Sequence, residues 1–481
     1  MTYLSVTSWA ALAAAAGLAV AGCHLVIGYE DGHLAPNAGG AGGEGGSGNF
    51  GGGGQPLPPA TCETNSNFVL QIGDEANQDL IVGAVGESAA NAIAGSFEGK
   101  LEIGSKSQTA QGRDGFVARL DTAGEAAFMT KIPGTDEAIG QQVDRVAIGP
   151  NNSFFLAGTF DGVVPLDGNN QYTAQGIDGF VSAVGPAGAG VWYHAFGGPG
   201  EQRARAVTLA GPTVIVGGDY HGSLRIDQDP EIANSGAATR AFIASFQGGN
   251  GTLVKTHLFN IPDHVSVTGF AMAPGGVPYC ALGGAEGGVA VLESDLSERW
   301  VKQFGFSVQG VAHGPGDELV AIGTFKADPM LPGQDISSAG GDDAVIFRLD
   351  PETGDVLWAT RLGGAFDDRG ADIAVGCDGR VIAIADVIGS ITIGGSPALD
   401  GPEESRVFVA RLDLQTGTTL SFERLRGTGD HHAQSISVNG GAPLITGTFT
   451  KEIFFGEQQL PAVGQADLFA VQLPLAAAGD P

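Results

Sequence analysis

The sequence has few basic residues: 23 Lys and Arg stand against 53 Asp and Glu in 481 residues, a formal net charge of −30. A surface of that sign repels nucleic-acid phosphates and anionic membrane head groups, so we expect no nucleic-acid partner. Charged residues make up only 16% of the chain, whereas 80 residues are Gly and 24 are Pro. Helix signals are nearly absent, and this composition predicts an all-β, turn-rich protein.

The N-terminal apolar run, 13 residues from Trp9 to Ala21, is too short to span a bilayer comfortably. It leads into LAVAGC, ending at Cys23, which resembles the lipobox of bacterial lipoproteins. We therefore predict a signal peptide at residues 1–22 and lipidation of Cys23, although the first nine residues lack the positive charge typical of a signal peptide. The alternative is an ordinary secretory signal with an incidental cysteine. His24, where an Asp is absent, favours retention in the outer membrane of the cell envelope.

Residues 23–62 are predicted to be a disordered tether that follows the lipidated cysteine. The stretch from Pro36 to Pro59 is dominated by Gly and has too few apolar residues to form a core. As a flexible coil it would reach about 27 Å. The folded domain is predicted to occupy residues 63–481.

Cysteine is scarce, with four copies and neither a CxxC pair nor a zinc-ligand spacing. With Cys23 assigned to lipid, we expect Cys280 and Cys377 to be small buried apolar residues, because their predicted strands lie too far apart for a disulfide. Cys62 has no evident partner.

An internal repeat organises the rest of the chain. In the segment 143–160, apolar β-runs flank Gly149-Pro150-Asn151-Asn152, which predicts a β-hairpin. The end of its second strand recurs at AGSF, AGTF, GGDY, GGAE, IGTF, IADV and TGTF, which begin at Ala94, Ala157, Gly217, Gly283, Ile322, Ile384 and Thr446. The copies lie about 60 residues apart, apart from one shorter interval, as in repeat architectures.

A third strand of the type DGFVARLD follows each copy, but only six fourth strands follow the third ones. The missing fourth strand is predicted at Phe68 to Ile72, ahead of the first unit. A strand borrowed from the opposite end of the chain closes a ring, whereas a linear solenoid needs polar caps. We therefore predict a seven-bladed β-propeller with four-stranded blades, closed by an N-terminal strand that completes the last blade.

The repeated pattern F-x-G-x-L-x-I-G, D-x-F-V-A-R-L-D and G-G-x-x-D-D resembles the bacterial seven-bladed β-propeller repeat family. The resemblance covers roughly residues 68–473 and is strongest at GDDAVIFRLDPETGDVLWATRLGGAFDD, and weakest near Gly283 to Phe304. It implies an extracytoplasmic location and a binding or scaffolding role, and it implies no catalytic residues.

Acidic residues occur in six of the seven junctions between a fourth strand and the next first strand. We take one from each as a candidate ligand-binding residue: Asp74, Asp136, Glu201, Asp263, Asp367 and Asp430. Such carboxylates could accept backbone hydrogen bonds within their own turns. Alternatively, they form an acidic mouth that holds a hard cation such as Ca²⁺, although no DxDxDG loop is present.

Other candidate residues have mainly structural readings. Aromatics at Phe128, Trp192, Trp300, Trp358 and Phe422 recur at one place on the fourth strands and are predicted to be packing residues. His264, His313, His431 and His432 are candidates for cation binding or general base catalysis, but scattered surface histidines are the commoner case. No GxSxG, HExxH or phosphate-loop motif occurs in a convincing context.

Three classes of function remain open. The favoured one is a lipid-anchored, monomeric module that binds or scaffolds proteins or glycans, because the loops between second and third strands vary while the frame is regular. The runner-up is a propeller enzyme, a glycan lyase or hydrolase acting at the channel mouth. The third is a structural component of the envelope. Fold alone does not decide among them, and no cofactor other than Ca²⁺ is suggested.

Overall fold

The computed structural model describes residues 68–76, 78, 80–86, 91–110, 112–132, 140–165, 171–261, 264–327, 329–396, 399–438 and 442–472. The predictions for the signal peptide, Cys23 and the tether fall outside these ranges, as do Asp136 and Asp263. The described ranges contain no α-helix, only a short 3-10 turn at Pro150–Asn152. No helix with the length and apolarity to cross a bilayer is found among them.

Most of the described strands pair antiparallel in groups of four, which we number sheets 1 to 7, and two of these groups are joined in one larger sheet. The first strand in the chain is β1 (Phe68–Ile72). Sheet 1 contains β2 (Leu80–Val85), β3 (Asn91–Phe97), β6 (Asp114–Leu120) and β7 (Ala126–Ile132), with a side hairpin of β4 (Lys100–Ile103) and β5 (Lys106–Thr109). Sheet 2 contains β8 (Gln141–Ile148), β9 (Phe154–Phe160), β12 (Asp178–Val184) and β13 (Gly190–Gly197), with a side hairpin of β10 (Val163–Pro165) and β11 (Gln171–Thr173).

The next three sheets have the same order. Sheet 3 contains β14 (Gly200–Ala210), β15 (Thr213–Ile226), β16 (Ala233–Gln247) and β17 (Leu253–Leu258), and β15 also pairs with β13. Sheet 4 contains β18 (Ser266–Ala273), β19 (Val277–Gly283), β20 (Gly288–Leu292) and β21 (Glu298–Gln303). Sheet 5 contains β22 (Ser307–His313), β23 (Leu319–Lys326), β24 (Asp342–Leu349) and β25 (Val356–Gly364).

The last two sheets carry the remaining strands. Sheet 6 contains β26 (Arg369–Val375), β27 (Arg380–Ile388), β29 (Ser405–Asp413) and β30 (Thr419–Arg424), while β28 (Ile391–Ile393) pairs with β25. Sheet 7 contains β32 (His431–Ser437), β33 (Leu444–Phe449), β36 (Asp467–Gln472) and β1. Beside it, β31 (Arg426–Thr428), β34 (Glu452–Phe455) and β35 (Gln458–Pro461) form a small sheet.

The first strands of successive sheets contact one another in a cycle, from β2 through β8, β14, β18, β22, β26 and β32 back to β2. Radial contact of this kind surrounds a central channel, and it is the arrangement of a β-propeller. The seam between the ends of the described chain is also hydrogen-bonded, since the Gly83 N–H donates to Ser435 Oγ over 2.8 Å.

The strand β1 lies where the repeat count predicts a closing strand. It pairs with β36 in the register Phe68↔Gln472 to Ile72↔Leu468. Phe68 and Ile72 are buried, so the strand contributes core as well as backbone hydrogen bonds. The first described strand thus completes the sheet that holds the last one.

The second strands form the core of each sheet. NAIAGSF in β3 and FFLAGTF in β9 are buried at every position, because neighbouring sheets cover both of their faces. The motif needs a glycine because the first strand passes very close to it. A Cβ on Gly158 would overlap the carbonyl oxygen of Gln142 on that strand. The repeated AGTF sequence is therefore a packing requirement.

The repeated D-x-F-V motif places a buried carboxylate at the start of several third strands. Asp467 accepts hydrogen bonds from Gln71 Nε2 (2.6 Å) and the Val463 N–H (3.0 Å). Asp343 accepts one from the Ala339 N–H (2.5 Å). These carboxylates fix the loop that leads into the third strand, so the motif is structural.

The aromatic residues of the fourth strands pack between sheets, as predicted. Trp192 and Trp358 are buried. Their indole N–H groups donate to carbonyl oxygens in the following sheet, at Gly248 (2.9 Å) and Leu414 (3.1 Å). Trp300 donates in the same way to Pro351 (2.8 Å).

The cysteine prediction is half right. Cys280 is free and fully buried on β19, as expected. The prediction that Cys377 is an inert buried residue is wrong, because Cys377 is disulfide-bonded. Cys377 lies half-buried in the turn between β26 and β27. Its partner lies outside the described residues, since Cys280 is free.

Candidate functional site

A backbone irregularity recurs at one level of the channel. In six of the seven first strands, one residue is skipped in the pairing with the second strand, which defines a β-bulge. The skipped residues are Asp144, Arg205, Thr268, Gln309, Ala371 and Gln434. The strand β2 pairs without a skip and presents Val82. A bulge changes the direction in which a side chain points. The six positions lie at the same level of successive first strands, and we call this set the bulge ring.

All six residues of the bulge ring line one cavity of about 430 Å³. The cavity opens on the face where the first strands begin, which we call the mouth. The cavity is also lined by residues that stand two positions earlier on the first strands, closer to the mouth: Leu80, Ser307, Arg369 and His432. Asp386, at the end of β27, lines it as well. The size of the cavity falls in the range of small-ligand sites.

Two members of the bulge ring tie neighbouring first strands together. Thr268 Oγ1 donates to the Val308 carbonyl oxygen over 2.8 Å. Gln434 Oε1 accepts a hydrogen bond from the Ile81 N–H over 2.6 Å. These contacts assign a structural role to Thr268 and Gln434.

The guanidinium of Arg205 belongs to a charged network in sheets 3 and 4. Its Nε lies 2.6 Å from Asp219 Oδ1, and Ser266 Oγ donates to the same oxygen over 2.7 Å. Arg203 lies 3.7 Å from the other oxygen of Asp219. Asp219 is buried, so the network holds Arg205 at a fixed place in the wall.

An ion pair crosses the channel at the floor of the cavity, which Arg145 also lines. Arg145 on β8 lies 4.0 Å from Asp372 Oδ2 on β26, which is on the opposite side of the ring. Asp372 also accepts hydrogen bonds from the N–H groups of Ile373 (2.9 Å) and Ile436 (3.2 Å). Gly310 makes room for it, because a Cβ there would lie 2.6 Å from Asp372 Oδ1. Burial raises the pKa of Asp372, and Arg145 opposes that effect.

Two groups near the opening carry positive charge or can acquire it. His432 Nδ1 lies 3.1 Å from Asp386 Oδ2, and this hydrogen bond raises the pKa of His432. Arg369 is exposed, and within the described ranges its guanidinium has no hydrogen-bond or ion-pair partner. Arg369 is thus available to a ligand.

Two acceptor atoms in the cavity have no donor among the described residues. One is Asp144 Oδ2, whose sister oxygen accepts from Gln142 Nε2 over 2.7 Å, and the other is Gln309 Oε1. Burial raises the pKa of Asp144, against the lowering effect of the Gln142 hydrogen bond. Buried acceptors are normally satisfied, so these two atoms call for a donor from solvent or a ligand.

The described members of the predicted acidic mouth lie elsewhere. Asp74, Glu201, Asp367 and Asp430 do not line the cavity. Asp74 accepts from the N–H groups of Ala76 (2.8 Å) and Lys100 (2.7 Å). Their carboxylates form a separate set at the strand junctions, which we call the rim.

The other rim carboxylates are also engaged locally. Asp367 accepts from the Asp342 N–H (3.0 Å), Asp430 from the Ser405 N–H (3.0 Å), and Glu201 pairs with Arg203 (2.5 Å). Among the described residues, no group of three or more His, Cys, Asp or Glu is placed to hold a metal ion. Calcium binding by the rim stays a prediction.

The histidine candidates also divide into those that line the cavity and those that do not. Only His432 lines the cavity. His431 is buried and its Nε2 bonds the Glu452 carbonyl oxygen over 2.9 Å, while His313 lies 3.2 Å from Asp317. Burial lowers the pKa of His431.

The bulge ring has a sequence signal that apolar periodicity does not reveal. When the first strands are aligned on their buried residue, as in VDR, ARA, VTG, VQG, GAD and AQS, the middle column is mostly polar. If side chains alternated strictly between the two faces of these strands, some residues of this column would be buried. A polar residue in the column therefore indicates a bulge.

The fold and the site together define a β-propeller with a polar cavity at the mouth of its channel. No protein-family model matches the chain, and no curated protein does. Similar solved structures include the Dos1 propeller, with 9% identity, TM-score 0.46, and coverage of 84% of this chain and 95% of that one. BamB from Moraxella catarrhalis has 13% identity, TM-score 0.36, and coverage of 82% and 99%.

A third is the quinohemoprotein alcohol dehydrogenase from Comamonas testosteroni, with 10% identity, TM-score 0.37, and coverage of 85% of this chain and 78% of that one. Similarities this remote carry no information about a ligand or reaction. The propeller architecture follows from the strand pairing of this chain itself.

Proposed function

We propose that this protein is a cell-envelope lipoprotein whose closed, seven-bladed propeller is a non-catalytic binding or scaffolding module for proteins or glycans. The observation that carries the proposal is the convergence of bulged residues from six strands on one cavity. Bulges cost regular pairing, and here they place side chains of different chemistry around one space. The ligand is taken at the mouth.

The seven-bladed form is supported by the cycle of first-strand contacts and by the pairing of β1 with β36. Four strands per blade agree with the pairing order of each sheet. Closure by β1 completes the last blade.

An extracytoplasmic location is supported by the disulfide at Cys377, because disulfides persist in oxidising compartments. The LAVAGC sequence supports lipidation of Cys23. Phe68 pairs with Gln472, at the end of the sheet away from the mouth.

The test is a glycan and peptide array probed with the full chain and with a double variant, Arg369→Gln with Asp144→Asn. Wild type should bind at least one glycan or peptide, and the double variant should bind it at least tenfold more weakly. Arg225→Gln is the matched control, since Arg225 is an arginine outside the cavity that lies 3.8 Å from Glu231. Equal binding by wild type and the double variant would contradict the proposal.

An enzyme is the second candidate, and Asp144 is the observation that favours it. A carboxyl group with a raised pKa and a free oxygen in a cavity is suited to general acid catalysis, as in glycan hydrolysis or elimination. Turnover of a bound glycan that disappears in Asp144→Asn while binding persists would establish the enzyme. Binding without turnover in wild type would exclude it for that glycan.

A further inference from the structure

The lining of the cavity concentrates arginines in a chain that is strongly acidic overall. It contains three arginines, Arg145, Arg205 and Arg369, against two carboxylates, Asp144 and Asp386. Two of the arginines, Arg145 and Arg205, lie beside the carboxylates of Asp372 and Asp219. The whole chain has 53 acidic and 23 basic residues. Placing guanidinium groups together in such a chain favours an anionic ligand at this point.

The three guanidinium groups are not equally engaged. Arg205 lies 2.6 Å from Asp219 and is committed to it. Arg145 lies 4.0 Å from Asp372 and its Nη1 donates to the Asp144 carbonyl oxygen over 3.4 Å, whereas Arg369 has no partner within the described ranges. Arg145 and Arg369 therefore retain N–H groups, and they start from strands on opposite sides of the ring. A planar carboxylate is the group that guanidinium forks bind best.

The unpartnered acceptors specify the rest of the ligand. Asp144 Oδ2 and Gln309 Oε1 need donors, and a ligand without donors would leave them buried and unsatisfied. No Phe, Tyr or Trp is among the described residues that line the cavity, so stacking against a neutral sugar face is not available there. Recognition thus combines charge with hydroxyl donors.

We propose that the mouth binds an acidic sugar, with its carboxylate at Arg369 and Arg145 and its hydroxyl groups donating to Asp144 Oδ2 and Gln309 Oε1. This assignment rests on the proposed binding function and names its ligand class. A cavity of about 430 Å³ lies toward the small end of ligand sites, which suits a sugar residue that is free or at the end of an acidic glycan.

The experiment is calorimetric titration of the full chain with D-glucuronate and with a tetrasaccharide that ends in glucuronate. Glucose tests the need for the carboxylate, and acetate tests the need for the hydroxyls. Both controls should bind at least tenfold more weakly than glucuronate. Tighter binding of the tetrasaccharide identifies a glycan chain as the source, and equal binding identifies the free sugar.

Variants locate the site. Arg369→Gln should weaken glucuronate binding about tenfold, because it removes a charged hydrogen-bond donor. Arg369 has no partner in the described chain, so its loss should not disturb folding. Arg225→Gln should bind as wild type does, and a melting curve of each variant verifies the fold.

Three results would overturn the assignment: glucose binding as well as glucuronate, a Glu-rich peptide binding more tightly than either uronate ligand, or Arg369→Gln binding glucuronate normally. If the arrays meanwhile give another ligand whose binding depends on the mouth, the binding function stands and the acidic-sugar assignment fails. If no ligand depends on the mouth, both fail.

Discussion

The rim and the bulge ring lie on the same face of the propeller, yet they differ in residue type and in how their charges are engaged. The described rim carboxylates accept hydrogen bonds from nearby loops, as Asp367 does from the Asp342 N–H. The bulge ring brings together residues from six strands, and Asp144 Oδ2 and Gln309 Oε1 have no donor among the described residues.

The difference follows from the repeat. A rim carboxylate accepts hydrogen bonds in a turn that recurs with the repeat, and six of the seven junctions contain an acidic residue. The bulge ring occupies a column that varies between blades, with Asp, Arg, Thr, Gln, Ala and Gln in chain order. In a repeat protein, the positions that vary within a constant backbone feature are the better candidates for ligand chemistry.

The largest expected effect on stability comes from removing the strand that closes the propeller, on which the rim and the bulge ring both depend. Deletion of residues 63–74 removes β1 and exposes the edge of β36. Loss of the buried Phe68 and Ile72 alone should cost about 4 kcal/mol of unfolding free energy. Deletion of residues 24–58 is the control and should leave the melting temperature unchanged. Equal melting temperatures for both deletions and the full chain would refute closure.

The next effect concerns the end of the propeller away from both regions. Cys377→Ser should lower the unfolding free energy by about 3 kcal/mol through loss of the disulfide. Reductant should lower the melting temperature of wild type to that of the variant and leave the variant unchanged. Peptide mapping without reduction should identify Cys62 as the partner, because Cys280 is free and Cys23 is assigned to lipid. A reductant-insensitive wild type would contradict this.

A direct contrast sets one charge of the bulge ring against one of the rim. Arg205→Gln leaves the buried Asp219 without its closest cation and should cost about 2 kcal/mol in urea unfolding. Asp367→Asn keeps an oxygen that can accept from the Asp342 N–H and should cost about 0.5 kcal/mol. Losses of equal size would remove the distinction between the two regions.

A buried carboxylate outside the rim and the bulge ring predicts how the stability of the fold depends on pH. Burial raises the pKa of Asp178 to about 7, from 3.8. The folded state therefore holds this proton more tightly than the unfolded state, so its stabilising contribution is complete below about pH 4 and is lost as pH rises through about 7. Asp178→Asn should flatten this fall and raise the melting temperature at pH 8 by about 2 °C relative to wild type.

The exposed turn residue Asp121, changed to Asn, is the control for that measurement and should leave the pH profile of wild type unchanged. A steeper profile in Asp178→Asn would show that the buried carboxylate is charged in the folded state at neutral pH.

The smallest effect is expected from calcium at the rim. Because the described rim carboxylates already accept local hydrogen bonds, millimolar Ca²⁺ should raise the melting temperature no more than Na⁺ at equal ionic strength. A calcium-specific rise that weakens in Asp136→Asn with Asp367→Asn would instead support the cation hypothesis.

Much of the frame could be predicted from the sequence, because it depends on repeated local chemistry. The pairing of Phe68–Ile72 with the last third strand follows from counting strands, and the packing of Trp192 and Trp358 follows from their recurrence. The glycine of AGTF recurs because the first strand passes close to it.

The candidate site was harder to predict, because a bulge changes where a side chain points without changing the apolar pattern around it. Asp144 and Gln309 look like ordinary solvent-facing positions of alternating strands. The acidic junctions are conspicuous in the sequence by their number, and the described ones accept hydrogen bonds from nearby backbone N–H groups. The prediction for Cys377 is wrong because it considers only distances between sheets.

The ion pair between Arg145 and Asp372 gives the channel a direction. Because it links opposite walls at the floor of the cavity, with Asp372 held by two backbone N–H groups, the ion pair narrows the passage at that level. We therefore expect a ligand of the cavity to enter and to leave through the mouth. Occupancy should then be one ligand per chain, and a bulky group attached to the ligand would have to project outward from the mouth.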